Sequence, residues 1–134
     1  MSSEQRVQDC LAAIEARDDE VWAWAFLDAA GALAQARARD GEAPRGPLHG
    51  MPVGIKDVID TADLPTSFGS PIYEGHQPAR DADCVAWLRE QGAVVLGKTV
   101  TTEFATYEPP PIPMLPSDRI GEMRPKTLLS GSSR

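Results

Sequence analysis

The sequence predicts an α/β fold with helices packed on a sheet. Three observations support this. A strand, helix, strand order runs from residue 51 to residue 96. Two further helical patterns flank a short aromatic strand before it. With 134 residues, the chain has room for one domain at most.

The elements follow in chain order. Val7, Cys10, Leu11 and Ile14 recur at i, i+3, i+4 and i+7, the spacing of one helix face. Ser2 and Gln5 fit a capping box at its start. Asp18 and Asp19 interrupt the pattern. VWAWAFL, residues 21–27, then puts Trp22, Trp24 and Phe26 at period two, as a short strand with core side chains. Asp28 is placed to cap a second helix over 29–39. Residues 41–47 form a turn-rich linker. MPVGIK, residues 51–56, reads as a buried strand. Residues 60–77 hold Pro65, Gly69, Pro71 and Gly75 and predict a long loop, a kind that is usually functional or covered by another segment. Asp81 is a suitable cap for a helix to Gln91, with Cys84, Val85 and Leu88 inward. Gly92 would end that helix in a left-handed conformation. AVVL, residues 93–96, is a buried strand followed by a turn at Gly97, and Thr101 or Thr102 starts a helical turn through Phe104. A helix between two strands predicts that the strands are parallel.

After Glu108 the character changes. Pro109, Pro110, Pro111, Pro113 and Pro116 remove backbone donors and fix φ, which disfavours helix and central strand. The expected division is a folded portion over 1–108 and a proline-rich, disordered tail over 109–134.

Charge and composition exclude several partners. Thirteen basic and 20 acidic side chains give a formal charge of −7, which argues against nucleic acid and against an anionic membrane surface. No apolar run approaches the roughly 20 residues that cross a bilayer. The polar amphipathic N-terminal stretch points to the cytoplasm. Cys10 and Cys84 are expected to be buried and reduced, and neither they nor His49 and His76 have metal-ligand spacing. No metal or cofactor is expected.

Lys56 is the candidate catalytic residue. It ends the apolar run Pro52-Val53-Gly54-Ile55, and a desolvated lysine loses its proton readily enough to act as a general base. The alternative is that Lys56 reaches solvent or pairs with Asp57 or Asp60, carboxylates that would either orient it or be solvated loop acids.

Two motifs carry a resemblance. GPLHGMPVGIKDVIDTADLPTSFGSPIY, residues 46–73, and DADCVAWLREQGAVVLGKTVTTEFA, residues 81–105, together resemble the N-terminal portion of the amidase-signature family. The resemblance implies a partial amidase-signature fold, a mixed sheet flanked by helices. It also implies hydrolysis of carboxamide C–N bonds by a Ser, cis-Ser, Lys triad, without metal, on a small-molecule amide. Lys56 matches the family's lysine. Thr102, Glu103 and Phe104 would pack and shape a loop near the active site. The family's Gly-Gly-Ser-Ser segment should follow the Glu-Phe run, but the proline stretch stands there. Ser130-Gly131-Ser132-Ser133 lacks the family's flanks and receives no role. The expectation is therefore a truncated chain inactive alone. The alternative is a non-catalytic binding or regulatory fragment that docks on a full-length relative.

Residues 92–99, GAVVLGKT, match the P-loop pattern letter for letter. A P-loop follows a strand and opens a helix, whereas a helix precedes Gly92 and the interior residues favour a strand. Nucleotide binding is rejected on that context.

Overall fold

The computed structural model describes residues 1–106. Three helices, α1 (Ser3–Val21), α2 (Ala29–Asp40) and α3 (Asp83–Glu90), accompany three strands, β1 (Trp24–Leu27), β2 (Pro52–Lys56) and β3 (Val94–Thr99). The sheet order is β1-β3-β2. β2 runs parallel to β3 and β1 antiparallel to it, so the sheet is mixed. The expected proline-rich tail lies outside the described residues.

Both predicted caps of the first two helices form. Ser2 Oγ accepts the Gln5 amide at 3.1 Å, and Asp28 Oδ1 accepts the Gly31 amide at 2.9 Å. Gln5 does not complete the box; its side chain donates to Asp9 instead. Two more orphan amides of α1, those of Ser3 and Glu4, donate to the carboxylate of Asp40, which ends α2. Those amides, that of Glu4 foremost, hold the Asp40 carboxyl below its usual range.

Helix α1 runs through the expected interruption at Asp18 and Asp19 to Val21. Its stop is set by Asp18, whose carbonyl accepts the Trp22 amide at 2.8 Å and whose carboxylate accepts the Ala23 amide at 2.7 Å. Trp22 takes a left-handed conformation there, with φ of 55°. The strand therefore shortens to Trp24–Leu27. The cap of α3 is also not the one expected. Ala82 occupies that position, because Asp81 accepts the Ala62 amide and pairs with Arg89 at 2.9 Å. Cys84 is exposed and Cys10 half-buried, and both are free thiols, so neither is the buried residue expected. Gly92 behaves as predicted. With φ of 87° it follows the C-cap, its amide donates to Arg89 O, and the Ala93 amide donates to Leu88 O.

The core has two layers. Val7, Ala32 and Ala36 of the first two helices cover Val94 and Leu96 on one face of β3. Val85 of α3 and Leu64 of the loop after β2 cover Val95 and Ile55 on the other. This alternation is that of any strand with both faces buried. It changes at Leu96. Val53 is opposite Val95 and Gly54 is opposite Gly97, leaving Leu96 as an extra residue, a β-bulge. The bulge reverses the alternation, so Lys98 joins the face of Val95 and Ile55 rather than that of Val94 and Leu96. β3 also continues through Gly97 and Lys98, where a turn was expected. Gly97 fits there because a Cβ would stand 2.2 Å from Phe26 O of β1.

Candidate active site

Lys56 and Asp57 sit at the carboxyl end of β2, opposite the same end of β3. Lys56 pairs with Thr99 in the parallel register, and the Asp57 amide donates to Thr99 O at 2.9 Å. Consecutive strand residues point to opposite faces. Lys56 is exposed, and among the described residues its ammonium has no hydrogen bond or ion pair. It reaches solvent, the second of the two readings above, and pairs with neither Asp57 nor Asp60.

Asp57 turns inward and is 2% exposed, so it is neither a solvated loop acid nor a partner of Lys56. Its Oδ1 accepts the Ser67 amide at 3.0 Å, and its Oδ2 accepts the Ser67 hydroxyl. Its carbonyl accepts the Phe68 amide. All its polar groups are thus engaged, which closes the loop after β2 upon itself.

The lysine found in the interior is Lys98, with no exposed surface. Its three N–H donors have three acceptors: Ile59 O at 2.7 Å, Thr66 Oγ1 at 2.6 Å and Thr61 Oγ1 at 3.3 Å. The hydroxyls of Thr66 and Thr61 donate onward to Ile59 O and Leu64 O, which leaves their lone pairs for the ammonium. Asp57 Oδ1 lies 3.7 Å from Nζ as the counter-ion. Burial pulls the Lys98 ammonium below the usual lysine range, and the carboxylates of Asp57, Asp60 and Asp63 partly offset this. The arrangement satisfies the rule that a buried charge be paired and hydrogen-bonded. The sequence carries a signal for it. Lys98, like Lys56, ends an apolar run, but its letters also complete the P-loop pattern, which masks it.

The same end of the sheet carries an aromatic cluster. Phe68 and Tyr73 meet edge to face with centroids 5.1 Å apart, and Tyr73 also contacts His76 and Phe104. Thr102 precedes the short turn Glu103–Ala105. The hydroxyl of buried Ser70 donates to Glu103 at 2.7 Å, tying the loop after β2 to the segment after β3. Ser67 and Ser70 are therefore both engaged. No group of three or more His, Cys, Asp or Glu among the described residues is arranged to hold a metal. No helix among them is long and apolar enough to cross a membrane.

Known proteins share this sequence and this arrangement. The sequence profile of the amidase family matches residues 5–108. A putative amidase AmiD from Mycobacterium tuberculosis is 40% identical over 125 residues, 88% of this chain and 26% of that protein. A glutamyl-tRNA(Gln) amidotransferase chain from Nitratidesulfovibrio vulgaris is 45% identical over 105 residues, covering 77% of this chain and 22% of that one. The native peptide amidase from Stenotrophomonas maltophilia superposes with a TM-score of 0.73 at 40% identity, over 78% of this chain and 22% of that chain. The chain thus spans about a quarter of the length of the curated relatives it matches. With the profile covering most of its length and the same fold in a solved relative, the chain belongs to the amidase family.

Proposed function

We propose that this chain supplies the lysine of an amidase that hydrolyses the carboxamide C–N bond of a small molecule in the cytoplasm. The observation that carries this reading is the placement of Lys56. The motif GPLHGMPVGIKD sets it, exposed and without a protein partner among the described residues, at the carboxyl ends of two parallel strands. That end is where open α/β sheets bind ligands. In the reaction the resemblance implies, Lys56 takes a proton from a bridging serine. That serine deprotonates the nucleophilic serine, which attacks the amide carbonyl. The amine leaves, and water frees the acid from the acyl-enzyme. Ser67 and Ser70 are held by Asp57 and Glu103; in this reading the two serines come from polypeptide beyond the described residues.

The test is a fusion. Residues 1–106 are joined to the part of the Stenotrophomonas maltophilia peptide amidase that follows its matched segment, and a panel of simple carboxamides is assayed. The chain alone is expected to give no turnover. The fusion is expected to turn over, and Lys56→Ala to lower its kcat at least about a thousandfold, as for other members of a catalytic unit. A folded, active fusion indifferent to Lys56→Ala would sink the assignment.

A second reading draws on the sheet edges. β1 and β2 are each paired on one side only among the described residues, and such edges invite another strand. In this reading the chain is a non-catalytic piece docking on a full-length relative. Mixing it with an intact family member and measuring mass by light scattering separates the two readings. A stable complex without added turnover supports docking.

A further inference from the structure

Two lysines lie near the carboxyl ends of neighbouring parallel strands, yet they face opposite sides of the sheet. A base must be able to lose its proton, and a carboxylate next to it in the chain works against that. Asp57 is such a neighbour of Lys56. The structure gives that carboxylate another occupation. It is turned to the far face of the sheet, bonded to Ser67, and faces the Lys98 ammonium at 3.7 Å. The bulge at Leu96 brings Lys98 to that face.

We propose that Lys98 is a positioning residue for Lys56: as the counter-ion of Asp57, it neutralises the adjacent carboxylate so that Lys56 can give up its proton. The proposal rests on the amidase reading for its purpose but not for its test. Around Lys98 the charged groups are Asp57, Asp60 and Asp63 from the loop after β2. Arg89 of α3 is already bound to Asp63 and Asp81. β1, on the other side of β3, carries no charge. Of these groups, Asp57 alone shares a peptide bond with Lys56. The direction of the effect is therefore set by one pair. Removing the Lys98 charge leaves the Asp57 carboxylate uncompensated and favours protonated Lys56. Removing the Asp57 charge leaves the Lys98 ammonium and favours neutral Lys56.

Lys56, Lys98 and Lys126 are the only lysines in the sequence, so each can be followed by NMR of lysine-labelled protein. The experiment titrates Lys56 in the full 134-residue chain as wild type, Lys98→Met, Asp57→Asn and the double variant. Amide signals of α1 and α2 report on folding. The expected result is a shift of the Lys56 midpoint up by about half a pH unit in Lys98→Met and down by about as much in Asp57→Asn, with the double variant near wild type. A merely structural role predicts shifts of one sign or none, and either result in folded protein overturns the proposal. If Lys98→Met does not fold, Asp57→Asn decides alone: a downward shift supports the proposal, and an unchanged or upward one overturns it. No turnover is needed, so a folded, active fusion indifferent to Lys56→Ala would refute the amidase reading without touching this measurement. The converse also holds.

Discussion

The two faces of β3 are covered in different ways. Under α1 and α2 the contacts are between small or branched apolar side chains, Val7, Ala32 and Ala36 against Val94 and Leu96. Under α3 and the loop after β2, the apolar contact of Val85, Leu64 and Val95 surrounds a polar centre, in which Lys98 meets Asp57, Thr61, Thr66 and the Ile59 carbonyl. The first face tolerates exchange of one hydrophobic residue for another of similar volume. The second requires each donor to find its acceptor, and a single missing partner leaves a charge buried alone.

The comparison can be broken most strongly at Lys98. Lys98→Ala leaves the Asp57 carboxylate buried without its counter-ion and should cost about 3–5 kcal/mol, read as a fall in unfolding free energy by urea titration. A cost no larger than that of an ordinary core truncation would mean that the polar centre is not distinctive. Val7→Ala is the matching change on the apolar face. It removes two buried methyl groups and should cost about 2 kcal/mol. The pH dependence of stability sharpens the contrast further. The Lys98 ammonium titrates near 10.5 when unfolded and lower when folded. Between those values the unfolded chain holds more protons, so unfolding free energy should climb as pH rises toward 10.5 and level off above it. The contribution is lost as pH falls through the folded value. Lys98→Met should remove the climb, and Val7→Ala should leave it in place.

The apolar face was legible in the sequence because periodicity encodes it. The helix face of Val7, Leu11 and Ile14, the caps at Ser2 and Asp28, and the end of α3 at Gly92 all follow local rules. The polar centre was not legible, since its members come from separate segments and no local rule joins Asp57 to Ser67 or Lys98 to Thr66. Local cues also misled where a side chain had a distant use. Asp81 looks like a cap but serves Ala62 and Arg89. Asp18 looks like a pattern breaker but ends α1 a turn later. The bulge at Leu96 has no signature beyond the glycine after it, and it decides which way Lys98 points. The lysine proposed for the site, Lys56, was singled out by motif rather than by pattern. The structure places it at a strand end open to solvent.

The sheet order also bears on synthesis. β1 and β2 do not pair with each other; each pairs only with β3, the last of the described strands to leave the ribosome. At roughly 5–20 residues per second, the stretch from Leu27 to Thr99 takes roughly 4 to 14 seconds to translate. Until β3 emerges, neither outer strand has its partner among the described residues, and the helix pair lacks Val94 and Leu96 beneath it. The central strand, on emerging, closes both seams at once.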